Sequence, residues 1–337
     1  PGSPERARYH FRTGRGPGGV DPPNDWRSEF GGPAWTRVDD GEWYLHLFSP
    51  GQPDLNWANP EVWADLEKTL RHWLDRGVDG LHIEVAHAMA KPGDFSDTSS
   101  ATGDDSPFDH DGVHEIHRLI RSVVDHYPGR MVAGKLPVDD ERFAPYLRPD
   151  ELHLAWSGWL LQAPFDADAV RAAIERTFAA VRPAGVPPVW SLSDHDVSRP
   201  STRYGGGPLG VARARAMALV ELALPGVVSL YNGEELGLPD VEVPDELVKD
   251  PTTQSDEVRS RIGSRVPLPW EGGPPGYGFT DGEPWLPMPP EWAEFSVEAQ
   301  IEDISSTFSL FRAAIELRST HPGFRGDTIE WFGAPPG

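Results

Sequence analysis

The chain has 337 residues, enough for one large α/β domain or two smaller ones with a sizeable core. Its net charge of -23 argues against nucleic acid or anionic membrane as a partner, because such a surface repels phosphate. There is no cysteine, so disulfides and thiolate metal sites are excluded, and 36 Pro, 35 Gly and 13 Trp describe a loop-rich chain with aromatic surfaces.

Residues 1–42 are rich in Gly, Pro, Arg and Asp and read as an irregular extended segment. Trp43 to Phe48 reads as a short strand, closed by Ser49-Pro50-Gly51. Asn59 then caps a helix with Pro60 at its first position, where a missing N–H costs nothing. Val62, Leu66, Leu70, Trp73 and Leu74 fall at three- and four-residue spacing, so this helix buries one face, and Gly77 ends it. A strand over 78–84 follows, carrying Gly80-Leu81-His82-Ile83-Glu84-Val85-Ala86-His87 out into a loop.

The loop beyond it carries Asp94, Asp97, Asp104, Asp105, Asp109 and Asp111, whose spacing fits no ordered calcium loop and predicts a solvated segment. Helices are predicted over 112–125, 166–182, 208–224 and 297–318, and strands over 130–135, 151–156, 188–193 and 227–231. Residues 238–292 form a long loop of Pro, Gly and Asp. Alternating strands and helices imply a parallel sheet with helices outside. No glycine-rich phosphate loop follows any strand, which argues against an open doubly wound sheet. No apolar run reaches membrane length and no charged-then-apolar leader opens the chain, so a cytoplasmic protein is expected.

Gln52-Pro53-Asp54-Leu55-Asn56, the segment 80–87 and Leu192-Ser193-Asp194-His195-Asp196 occur in this order. With Asp111-Gly112-Val113-His114-Glu115-Ile116 and Tyr231-Asn232-Gly233-Glu234-Glu235-Leu236-Gly237-Leu238-Pro239, they resemble the alpha-amylase family of glycoside hydrolases. Within it they are similar to the alpha-glucosidase and oligo-1,6-glucosidase branch. The resemblance covers essentially the whole chain. It implies a retaining glycosidase on an eight-stranded (β/α) barrel, with two carboxyl groups about 5–5.5 Å apart across the scissile bond.

Set against that pattern, the nucleophile position holds Glu84 in place of aspartate, and the preceding arginine position holds His82. The acid/base position holds Lys135 in place of glutamate. Asp196 keeps the transition-state-stabilising position, preceded by His195 and Asp194. Glu84 is one methylene longer than aspartate, and a misplacement of about 1 Å costs on the order of a hundredfold in rate. An ordinary lysine is a cation with a high pKa and a poor proton donor at neutral pH. The same residues predict a Lys135–Glu84 ion pair that ties up the nucleophile.

The resemblance therefore implies an α/β protein with a partial (β/α)8 barrel, strands four to eight, over residues 51–320. Residues 1–50 are assigned to the domain inserted after barrel strand three, and 321–337 to the start of a C-terminal β domain. The expected function is an alpha-glucosidase homologue, N-terminally truncated and catalytically impaired. The alternatives are a sugar-binding or scaffolding pseudoenzyme and a degenerate fragment. The expected ligand is an α-glucoside or short oligosaccharide, contacted by His82, His195, Asp194, Arg199 and Arg203. Trp156, Trp159, Trp190 and Phe165 offer a stacking platform or core packing. No cofactor or metal is expected, and a partner chain is one source for the missing strands.

Overall fold

In the computed structural model, which describes residues 2–98, 106–249 and 261–333, the chain divides into two units. One comprises residues 1–157 and 180–186, the other residues 158–179 and 187–337.

The first unit opens with three short strands, β1 (Phe11–Thr13), β2 (Trp35–Arg37) and β3 (Glu42–Leu45). They pair antiparallel in the order β1-β3-β2, so residues 1–42 are not the irregular segment their composition predicts. Strands of three residues are too short for an alternating pattern to show. Aromatic packing holds them instead: Trp26, Trp35, Leu45, Leu47 and Phe95 form one buried cluster. The Trp35 indole N–H donates to Asn24 Oδ1 at 2.6 Å, which satisfies a buried polar atom.

Helix α1 (Pro60–Leu74) begins as predicted, with the Asn59 side chain accepting from the Glu61 N–H at 2.9 Å. Strand β4 (Gly80–Ile83) follows, then helix α2 (Val113–Val124), strand β5 (Met131–Lys135) and strand β6 (Leu154–Trp156). The three strands are parallel in the order β4-β5-β6, with His82 opposite Ala133 and Lys135 opposite Trp156. Ile116, Ile120, Val123 and Val124 of α2 are buried, as are Val132 of β5 and Leu152. The Asp54 carboxylate of the 52–56 motif pairs with buried Lys91 at 2.7 Å and accepts from the Leu47 N–H at 2.7 Å.

In the second unit, the body of helix α3 (Ala167–Val181) precedes strand β7 (Val189–Trp190), helix α4 (Gly207–Ala223) and strand β8 (Val227–Val228). Strands β7 and β8 pair parallel, Val189 opposite Val227. Leu160, Ile174, Trp190, Leu192, Tyr204 and Met217 lie in the core beneath them. The helix predicted over 297–318 is two pieces, Val297–Gln300 and α5 (Thr307–Thr320). Ser296 accepts from the Ala299 N–H at 3.2 Å and Ser306 from the Ser309 N–H at 3.0 Å, so each piece has its own serine cap. Among the described residues, no helix is long and apolar enough to cross a membrane.

Gly134 sets the spacing at the end of β5. A Cβ there would lie 2.8 Å from the Ala86 Cβ and 2.9 Å from Leu152 Cδ1, closer than real contacts allow. Gly134→Ala is therefore expected to destabilise the protein by about 1–3 kcal/mol, measured by urea unfolding. An unchanged midpoint would mean that the turn over β5 yields freely.

Candidate active site

The chemistry-bearing residues come from both units. In the first, β4 delivers His82 and Glu84 to its C-terminal end and β5 delivers Lys135. Glu84 Oε1 lies 3.3 Å from Lys135 Nζ, and Glu84 Oε2 lies 3.7 Å from His82 Nε2. The predicted ion pair is present. The His82 ring packs on Trp156 of β6, with centroids 4.8 Å apart and planes at 41°. Glu84 and His82 are exposed, with 41% and 48% of their side chains accessible.

The backbone leaves β4 through a strained turn. Val85 has φ of 51°, a left-handed conformation that a β-branched residue rarely adopts and that costs on the order of 1–3 kcal/mol. Two hydrogen bonds hold it. The Ala86 N–H donates to the Lys135 carbonyl at 3.2 Å, and His117 Nε2 of α2 lies 2.9 Å from the Ala86 carbonyl. Behind the turn, His87 is buried against Phe108, with ring centroids 5.5 Å apart. The acids of the following loop are not simply solvated: Asp109 and Asp111 both bind Arg142, and Asp97 pairs with Arg15 at 2.7 Å. Asp104 and Asp105 lie outside the described residues.

In the second unit, Asp196 is gripped by cations. Its Oδ1 lies 2.9 Å from an Arg265 guanidinium nitrogen and 3.4 Å from one of Arg261, while His195 Nε2 stands 3.5 Å from Oδ2. Arg265 Nε also donates to the His195 carbonyl at 2.6 Å. The Asp194 carboxylate accepts from the Asp196 N–H at 2.7 Å and so shapes the turn. Sequence reasoning missed Arg261 and Arg265. They sit in the long loop over 238–292, where no periodicity marks a residue as directed inward.

Arg199 and Arg203 are placed differently from the sequence-based expectation. Arg199 is buried, and its guanidinium donates to the carbonyls of Asn232 and Ser264, both at 2.8 Å. Arg203 donates to the carbonyls of Ser198 at 3.0 Å and Leu192 at 2.9 Å. Both guanidinium groups brace loop backbone. The stacking platform shrinks for a similar reason. Trp190 is fully buried, with its indole N–H on the Pro225 carbonyl, whereas Phe165 remains exposed and Trp159 carries the Arg176 guanidinium over its ring at 4.2 Å.

Electrostatically, the Glu84–Lys135 pair is partly open to water and adds little to stability. Lys135→Met is thus expected to change unfolding stability by less than about 1 kcal/mol. Arg199→Met, which removes a buried side chain's donors to the Asn232 and Ser264 carbonyls, should cost about 2–4 kcal/mol by chemical denaturation. Equal effects of the two substitutions would contradict this assignment.

Burial holds the His87 and His117 imidazoles neutral, each with its pKa lowered to about 4. A folded-state pKa below the unfolded value, ordinarily about 6.5, contributes stability that is complete above 6.5 and is lost as pH falls toward 4. His117→Gln, which keeps an N–H for Ala86 but cannot titrate here, should flatten that acid loss by roughly one proton's worth. Unfolding midpoints measured between pH 7 and 4 check this, and parallel curves for the two proteins would refute it.

The model of the alpha-amylase catalytic domain matches residues 1–327. The trehalose-6-phosphate hydrolase of Escherichia coli K12 is 31% identical over 94% of this chain, and the oligo-1,6-glucosidase of Parageobacillus thermoglucosidasius is 29% identical over 95%. The chain spans 63% of the length of each of these two relatives. Among solved structures, an alpha-glucosyl transfer enzyme, XgtA, aligns with a TM-score of 0.86 at 31% identity, covering 98% of this chain and 65% of the other. The Bacillus licheniformis trehalose-6-phosphate hydrolase aligns at 0.82 and 26% identity, covering 94% and 63%. The strand-end motifs, the parallel strands that present them and these likenesses agree: the chain belongs to the alpha-amylase family of glycoside hydrolases, in its alpha-glucosidase branch.

Proposed function

We propose that this chain is an alpha-glucosidase homologue whose hydrolytic turnover is lost or strongly reduced, and that its ligand is an α-glucoside or short oligosaccharide. The names of the relatives, oligo-1,6-glucosidase and trehalose-6-phosphate hydrolase, support that ligand class. One observation carries the loss of turnover: Lys135 Nζ stands 3.3 Å from Glu84 Oε1. In this reading Glu84 occupies the nucleophile position, Lys135 the acid/base position and Asp196 that of the transition-state stabiliser.

Retaining hydrolysis needs one carboxylate to attack the anomeric carbon and one protonated carboxyl to protonate the leaving oxygen. An ammonium in the second position supplies no carboxyl, and by pairing with Glu84 it opposes attack. Asp196, held by two arginines, is the carboxylate offered to sugar hydroxyls, with His195 and Asp194 beside it. We also assign residues 51–320 to a partial (β/α)8 barrel, strands four to eight. Residues 1–50 belong to the domain inserted after strand three, and 321–337 to the start of a C-terminal β domain, of which 334–337 lie outside the described residues. On this reading the earlier barrel strands come from elsewhere in a longer protein or from a partner chain.

The second reading, a sugar-binding pseudoenzyme, is favoured by the exposed His82 packed on Trp156, since such a face can stack on a sugar ring. Two measurements test these readings. Release of 4-nitrophenol from its α-glucoside should be the same, near background, for the wild type and Glu84→Ala. Activity in the wild type that Glu84→Ala abolishes would overturn the loss of turnover. Calorimetry with maltose and isomaltose should give saturable binding without hydrolysis, and its absence would remove the pseudoenzyme reading.

A further inference from the structure

Two carboxyl groups in the second unit have no place in the proposed chemistry. Glu221, on the inner face of α4, is wholly buried, and neither of its carboxyl oxygens has a hydrogen-bond partner. Glu234, in the turn after β8, is buried too. Its Oε1 accepts from the Ser193 hydroxyl, while its Oε2 has no partner. Glu234 lines a cavity of about 10 Å³ with Leu192, Ser201, Ala218, Leu238 and Phe311, room for one water at most.

The surroundings offer no full neutralisation. Arg318 faces Glu221, yet its N–H groups go to the carbonyls of Leu222, Leu224 and Gly226. Arg199 faces Glu234, but its terminal nitrogens are on backbone carbonyls, and Glu235 adds a further negative charge. The Leu192 backbone is the other group acting on Glu221, without hydrogen-bond geometry. Isolated buried carboxylates are expensive, and two that repel each other more so.

We propose that Glu221 and Glu234 form a proton-holding carboxyl pair, and that its ionisation loosens the β7 exit that carries Ser193 and, next in the chain, Asp194, His195 and Asp196. The Ser193 hydroxyl donates to Glu234 and so joins β7 to the turn after β8, a bond that by itself favours the ionised carboxylate. Once both groups are ionised, their mutual repulsion and lost hydration outweigh that bond beside Ser193, and the proton goes to solvent. The inference concerns a conformational device and stands whether or not the chain hydrolyses sugars.

Burial pushes the Glu221 pKa well above the ordinary carboxylate range and that of Glu234 up to about 7. A folded-state pKa above the unfolded value contributes stability that is complete below about 4.3 and is lost as pH rises through the folded value. The window is therefore roughly pH 4.3 to somewhat above 7, opposite in sign to that of the buried histidines.

Unfolding midpoints of the full chain, its Glu221→Gln and its Glu234→Gln forms between pH 5 and 8.5 test this. Each variant should gain on the wild type as pH rises, on the order of a hundredfold in the folding equilibrium across the window. Amide exchange over residues 191–196, corrected for intrinsic rates, should speed up in the wild type above neutral pH but not in Glu221→Gln. A wild-type-minus-variant difference that stays flat with pH, or exchange that changes equally in both, would overturn the proposal. Should a variant fail to fold, the wild type alone decides. Infrared spectra at pH 7 should hold a protonated-carboxyl band that fades by pH 9, and no such band contradicts the pair.

Discussion

The polar end of the first unit depends on one close approach. The turn after Glu84 crosses β5 at Gly134, where the Ala86 methyl occupies the space that any side chain would need. That contact allows the Ala86 N–H to reach the Lys135 carbonyl and fixes Val85 in its left-handed conformation. Glu84 and Lys135 then leave adjacent parallel strands side by side, and their pairing follows from strand register. Strain at a strand exit marks a functional site more often than a structural one. Here the strain lies beside the Glu84–Lys135 ion pair.

Charge pairing constrains what the strand-end carboxylates can do. Glu84 meets an ammonium and Asp196 meets two guanidinium groups, so each carboxylate is paired with cations. Retaining hydrolysis asks for opposite protonation states in its nucleophile and its acid. The carboxyl groups whose pKa burial raises, Glu221 and Glu234, lie in the core, with Glu234 bound to Ser193 behind the strand end.

Much of this was legible in the sequence. Asn59 and Pro60 marked the start of α1, and the apolar runs located β4 to β8. Glu84 and Lys135 were recognisable as a pair because the resemblance puts them at the nucleophile and acid/base positions on two strand ends. What stayed hidden has physical reasons. Strands β1 and β2 are too short to show alternation, and their stability comes from Trp26 and Phe95, remote in sequence from one another. Arg199 and Arg203 follow a strand end, as substrate-binding residues do, but their destinations are backbone carbonyls that carry no side-chain signature. Arg261 and Arg265 had no pattern to mark them, and Glu221 looks like any polar residue in a helix until its burial is known.

The central claim is that Glu84, paired with Lys135, no longer forms a covalent bond to sugar. Incubation with an activated 5-fluoro-α-glucosyl fluoride, which traps retaining glycosidases as glycosyl-enzymes, followed by intact-mass and peptide analysis, tests it directly. The account predicts an unmodified chain after long exposure. A glycosylated peptide with the sugar on Glu84 would contradict it.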